Sequence, residues 1–145
     1  MTAVRDRSSD LKELVGGDAH AVLAAAKARI IAYWDDECAR DLERLLSHFT
    51  RDAEVVTPDG SYRGHDAVAA LYQKSFDAYP GLTVDVTGSY LGDGAHCIAY
   101  SAVLSDSEEN RFLVEGINLM RMQNGLISYL RSFEDAPRRI PEANA

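Results

Sequence analysis

Cysteine is scarce in this 145-residue chain, which has two, Cys38 and Cys97, far apart and in no C-x-x-C pair. That argues against a cysteine zinc site and suits a reducing compartment, while leaving a single Cys38–Cys97 bridge open. Basic residues are also few: 15 Lys and Arg stand against 23 Asp and Glu, for a net charge of −8. The lack of a basic footprint argues against nucleic acid as a partner. No run approaches the ~18 apolar residues of a membrane span. Met1 to Asp10 carries charges at Arg5, Asp6, Arg7 and Asp10 and has no apolar signal-peptide core. Histidine pairs at zinc-helix spacing, phosphate loops and dinucleotide fingerprints are all missing. The expectation is a cytoplasmic protein with no metal, no cofactor, no membrane partner and no nucleic-acid partner.

What the chain does have is enough apolar residue, 46%, for one domain with a substantial core. Residues 1–17 are polar, end in Gly16-Gly17 and read as a loose arm; residues 137–145 read as a polar tail. Asp18 is a good N-cap. After it Val22, Ala26, Ile30 and Tyr33, with Leu23 and Trp34 beside them, form one apolar stripe that Asp35-Asp36-Glu37 is expected to break. Leu42, Leu45, Leu46 and Phe49 mark a second, shorter helix. Val68, Leu71, Tyr72, Phe76 and Tyr79 mark a third that stops near Pro80-Gly81. Between these two helices lies a short β-prone segment, Ala53 to Thr57, turned by Pro58-Asp59-Gly60.

Beyond Gly81 the period falls to two: Leu82, Val84 and Val86 alternate with Thr83, Asp85 and Thr87. Gly92-Asp93-Gly94, the polar run Ser105 to Asn110, and Asn124-Gly125 divide the rest into hairpin-connected strands. The order is three helices with a small β element, then a four-strand antiparallel meander.

Five stretches in this order resemble the nuclear transport factor 2 superfamily, and within it the SnoaL-like polyketide cyclases and ketosteroid isomerases. They are Ile30 to Trp34; Asp41-Leu42 with Leu45 to Phe49; Ala53 to Pro58; Tyr62 to Val68; and Gly116 to Gly125. The resemblance covers Ala19 to Ala136, so 18–136 is taken as the domain. It implies a cone-shaped α+β fold, a curved antiparallel sheet wrapped around three N-terminal helices (cystatin-like, an α+β barrel). A hydrophobic pocket opens at the end of the cone, and the chain pairs as a homodimer.

The same resemblance places Tyr33, eight residues before Asp41, where the isomerases carry a tyrosine that binds the substrate oxyanion; otherwise it is a core tyrosine. Asn118 falls where they carry a protonated aspartic acid, and its amide donates without a pKa shift; otherwise it bonds across the sheet. Thr57 stands at the position of their catalytic aspartate and cannot act as base unaided. His96, sharing a strand face with Ile98 and Tyr100, is the best remaining base, or a satisfied core histidine. Trp34, His65, Thr57 and Met120 are read as ligand-contacting positions, while His20 and His48 read as structural. Glu115 should face away from Asn118, Glu134 is of undecided parity, and Asp35-Asp36-Glu37 reads as a solvated helix end.

Three functions compete. The first is an enzyme of the ketosteroid isomerase or SnoaL-like type acting on a hydrophobic carbonyl compound, polyketide- or steroid-like, through enolate stabilisation. The second is a non-catalytic ligand-binding or accessory dimer, and the third a protein-interaction module.

Overall fold

Up to Tyr79 the apolar residues recur at helical spacing and after Gly81 they alternate, and the backbone follows that change. The computed structural model describes residues 3–6 and 17–141. Its helices are α1 (Gly17–Cys38), α2 (Leu42–Leu46) and α3 (His65–Ala78). Its strands are β1 (Val4–Asp6), β2 (Phe49–Thr57), β3 (Gly60–Arg63), β4 (Gly81–Gly92), β5 (Ala95–Ser105), β6 (Arg111–Gln123), β7 (Leu126–Glu134) and β8 (Arg138–Arg139).

One sheet takes up all eight strands in the order β1-β4-β5-β6-β7-β2-β3, with β8 alongside β6. The meander from β4 to β7 is antiparallel throughout. Register shifts between Val86 and Gly88 and between Arg121 and Met122 each insert one extra residue as a bulge, and the pairing of β2 with β7 is irregular between Phe49 and Glu54. Bulges bend strands, and the sheet curves without closing. The helices pack into its hollow. Ile30, Tyr33 and Trp34 of α1 and Val68, Tyr72 and Phe76 of α3 share one core with Val84, Val86, Ile98, Tyr100, Met120 and Leu130 of the sheet. Among the described residues no helix is long and apolar enough to cross a membrane.

Several expectations are corrected. The chain's first residues are not all a loose arm, because β1 pairs with β4 in parallel and Arg5 forms an ion pair with Asp85 at 2.7 Å. Phe49 is not helical: α2 ends at Leu46, and Phe49 opens a strand that runs parallel to β7. Arg138–Arg139 of the expected polar tail pairs with β6. Above all, Asp35-Asp36-Glu37 does not break the first helix, which runs on to Cys38. Helix α1 also starts at Gly17, one residue before the Asp18 read as its cap. The side chains of His20, Val22 and Leu23 lie outside the described residues.

Candidate functional site

Ile30, Tyr33, Trp34 and Glu37 follow each other at the three- and four-residue steps of one helix face. Glu37 therefore continues the apolar stripe into the core. Its residue is half-buried, yet its carboxyl is so crowded by protein atoms that loss of hydration pushes its pKa up to about 7. The Arg40 guanidinium and a hydrogen bond from Tyr33 pull it back, and the charge of Glu134 adds to the rise. Burial likewise holds the Tyr33 and Tyr72 hydroxyls well above the ordinary phenol value. Their two oxygens lie 2.5 Å apart.

Three groups thus share protons in a row. With Glu37 ionised, Tyr33 donates to it and leaves its own oxygen to accept from Tyr72. With Glu37 protonated the order reverses, and the Tyr72 hydrogen is released toward whatever lies beyond. A carboxyl titrating near neutrality is suited to both taking and giving a proton.

Arg40 closes α1. Its φ is +58°, in the left-handed region, and Asp41 N–H bonds back to the Asp36 carbonyl at 3.0 Å, the helix-ending pattern in which glycine is favoured. The side chain explains why arginine is there. One terminal nitrogen donates to the Tyr79 carbonyl at the end of α3 (2.5 Å), the other to the Glu37 carbonyl (3.3 Å). The guanidinium lies 4.6 Å from the centre of the Phe76 ring, where the ring quadrupole favours a cation.

The facing wall comes from the sheet. Tyr100 of β5 donates to Glu134 of β7 at 3.0 Å and lies 3.4 Å from the Ser132 hydroxyl, although β6 runs between the two strands. Gly116 makes that crossing possible, because a Cβ there would sit 2.9 Å from the Tyr100 oxygen and 2.8 Å from the Phe133 carbonyl. The parity left undecided for Glu134 is settled by its pairing with Gly116: its side chain stands on the Tyr100 side. Burial, then the Glu134 charge, pushes the Tyr100 hydroxyl well above the ordinary phenol value.

Asn118 lies on β6 between Ile98 and Ser132, 5% exposed. Its side-chain oxygen is enclosed without a hydrogen-bond partner. An orphaned buried polar atom costs ~1–3 kcal/mol. Glu115 faces out, as its spacing predicts.

The structure brings Tyr33, Trp34 and Tyr100 together with Glu37: Trp34 packs edge-on against Tyr100 at 5.4 Å and tilted against Tyr33 at 6.1 Å. No hydrogen bond joins Tyr33 to Asn118. Met120 is fully buried in the core. Thr57 accepts from the Asp59 N–H at 3.1 Å, bracing its turn. His65 donates to the Phe49 carbonyl at 3.2 Å. His96 faces inward with its pKa lowered by burial, but four residues of strand, about 13 Å, separate it from Tyr100. It is not gathered to the Glu37 group. His48 bridges Arg29 (3.0 Å) and Asp36 (2.6 Å); since an arginine only donates, Nδ1 accepts and Nε2–H is turned to Asp36. The residue that sequence reasoning missed is Glu37, and the signal for it was its place on the stripe.

The architecture is that of the nuclear transport factor 2-like proteins: three helices held in a curved, open sheet. Residues 27–130 match the family model of the SnoaL-like domain, and the chain belongs to that family. Similar solved structures include TerC co-crystallised with polyporic acid, with TM-score 0.68 and 15% identity over 77% of this chain and 92% of that one. A protein of ketosteroid isomerase-like fold from Catenulispora acidiphila, in complex with trimethylamine, gives TM-score 0.65 and 15% identity over 72% and 83%. An epoxide hydrolase of the LEH-like kind from M. tuberculosis gives TM-score 0.67 and 15% identity over 77% and 84%. No curated protein matches the sequence. At these identities the solved structures bear on the fold alone.

Proposed function

We propose that this chain is a small-molecule enzyme of the ketosteroid isomerase or SnoaL-like type, using no cofactor. It moves a proton next to the carbonyl of a hydrophobic, polyketide- or steroid-like compound, with Glu37 as the base. The observation that carries this reading is Glu37 itself: a carboxyl held in the core with its pKa pushed up to about 7 and hydrogen-bonded into a tyrosine pair. Such a group supplies what Thr57 lacks. As Glu37 takes up a carbon-bound proton, the Tyr33–Tyr72 pair turns over and frees the Tyr72 hydrogen to meet charge building on the substrate oxygen. The negative charge of Glu134 keeps Glu37 a stronger base than burial alone would make it.

The test is deuterium uptake at C2 of 1-tetralone in D₂O, followed by proton NMR. The wild type should speed exchange, and Glu37→Gln should remove ~10²–10⁴-fold of it, the usual worth of a positioned general base. Exchange that survives Glu37→Gln would sink the assignment. Uncatalysed exchange with tight tetralone binding would favour the other reading, a ligand-binding or accessory protein on the same fold.

We infer further that two copies pair through the outer face of the sheet. Ile117 and Phe133 are direct cross-strand neighbours there, 44% and 50% exposed, with Tyr90 at 62%. Glu115 and Arg131 stand on either side of the Ile117–Phe133 level, so a two-fold rotation brings the cation of one copy to the level of the acid of the other.

A further inference from the structure

Arg40 sits where an arginine is costly. Its φ of +58° lies in the left-handed region, where glycine carries no penalty, and its Nε is enclosed without a hydrogen-bond partner. Glycine would remove both faults, so stability alone does not account for the side chain. What the side chain reaches is the second of two rungs between α1 and α3. Tyr33, Glu37 and Arg40 follow one another at steps of four and three residues, and so do Tyr72, Phe76 and Tyr79. At the first rung the Tyr33 and Tyr72 oxygens lie 2.5 Å apart. Seven residues on in both segments, Arg40 donates to the Tyr79 carbonyl at 2.5 Å and covers the Phe76 ring. Glu37 lies between the rungs in sequence.

Charge singles out the same residue. The groups that act on the Glu37 carboxyl, or respond to it, are Tyr72 of α3, Tyr100 of β5, Glu134 of β7, and Tyr33, Cys38 and Arg40 beside it in the chain. Among the described residues Arg40 is the one cation in that set, and a buried carboxylate needs a counter-charge. Tied to the Tyr79 and Glu37 carbonyls and stacked on Phe76, the guanidinium keeps its place whether or not Glu37 holds a proton. Resting on the reading of Glu37 above, we propose that Arg40 is the positioning residue of this site. It keeps Glu37 in the carboxylate form that can accept a proton, and it fixes α1 against α3 at the register that joins Tyr33 to Tyr72. Arg40 touches no reacting atom and acts through these three groups.

The experiment compares wild type, Arg40→Gly and Arg40→Lys. The Glu37 carboxyl is titrated by carbon-13 NMR, with Glu37→Gln as the blank, and deuterium uptake by 1-tetralone is followed from pH 5.5 to 9.5. In Arg40→Gly the Glu37 midpoint should rise above its wild-type value of about 7. Exchange at pH 6 should fall about tenfold for each unit of that rise, with a smaller loss in alkaline solution, where the carboxyl ionises again. Arg40→Lys keeps a cation but not the forked grip, so it should bring the midpoint back toward wild type. Both variants should share a residual deficit at pH 9.5, which reports the loosened tyrosine pair. At pH 5, where Glu37 is protonated with or without the arginine, Arg40→Gly should melt about as high as wild type. A merely structural arginine would slow exchange by one factor at every pH and leave the midpoint in place, and either result overturns the proposal. So does an Arg40→Gly protein that melts far below wild type at pH 5, or a midpoint that lysine fails to restore. Wild-type exchange with an unmoved midpoint sinks this inference alone. A moved midpoint in a protein whose wild type exchanges nothing sinks Glu37 as the base and leaves Arg40 as the holder of its charge.

Discussion

Replacing Glu37 with Gln should stabilise the protein in alkaline solution and leave it unchanged in acid. The folded chain holds the carboxyl at about 7 against an ordinary 4.5. A carboxyl raised on folding binds its proton more tightly in the native state, so its favourable contribution is complete below pH 4.5 and is lost as pH rises through 7. At ~1.4 kcal/mol per pH unit the gap amounts to about 3 kcal/mol, and partial access of water reduces this to ~2. Glutamine keeps an oxygen to accept from Tyr33 and never ionises. Urea denaturation of both proteins at pH 4, 6, 7 and 8.5 should give a difference near zero at the lowest pH. By pH 8.5 the difference should grow to ~2 kcal/mol in favour of the variant, or roughly 4–8 °C in melting temperature for a chain of this size. Other titrating groups cancel in the difference. A difference that is flat across this range, or that favours the wild type at pH 8.5, would refute the raised carboxyl and with it the choice of base.

Removing the cation should move the same curve. Arg40→Met takes away the guanidinium that restrains Glu37, so the midpoint of the pH-dependent difference between Arg40→Met and Arg40→Met/Glu37→Gln should lie above 7. Gly116→Ala should cost ~1–3 kcal/mol by overpacking against the Phe133 carbonyl and should turn Tyr100 away from Glu134, visible as lost chemical-shift coupling between the two in carboxyl and tyrosine NMR. Phe133→Glu should yield a monomer by light scattering while keeping the wild-type circular dichroism, if the outer sheet face joins two copies.

The meander was legible because its signals are local: alternation at Leu82, Val84 and Val86, and hairpin turns such as Asn124-Gly125, which occupies the left-handed region at φ +54° and +80°. The pairing of β2 with β7 and of β1 with β4 was not, because parallel partners 70 to 80 residues apart leave no mark on either strand. The candidate site divides the same way. Helical spacing placed Tyr33 and Trp34 on the buried stripe, while the role expected of Tyr33 came from the family resemblance. Glu37 was passed over because three acids in succession resemble a solvated end, and charge was allowed to outweigh position. On a helix the three point in different directions: Asp36 reaches His48 while Glu37 turns into the core. Tyr72 was placed on α3 correctly, but no spacing announces that its oxygen meets that of Tyr33 across 39 positions of chain.

The two strands that border the sheet are its shortest full members, β1 with three residues and β3 with four. Long bare edges invite self-templating addition of further chains, and short ones discourage it. β1 covers Val84 to Val86 of the twelve-residue β4 and clamps there through Arg5 and Asp85. Cutting the chain after Asp6 would uncover the middle of a long, valine-rich edge while leaving the tyrosines and Glu37 in place. The damage would then surface as concentration-dependent clumping, with thioflavin fluorescence rising over days, in a protein whose proton chemistry is intact when freshly made.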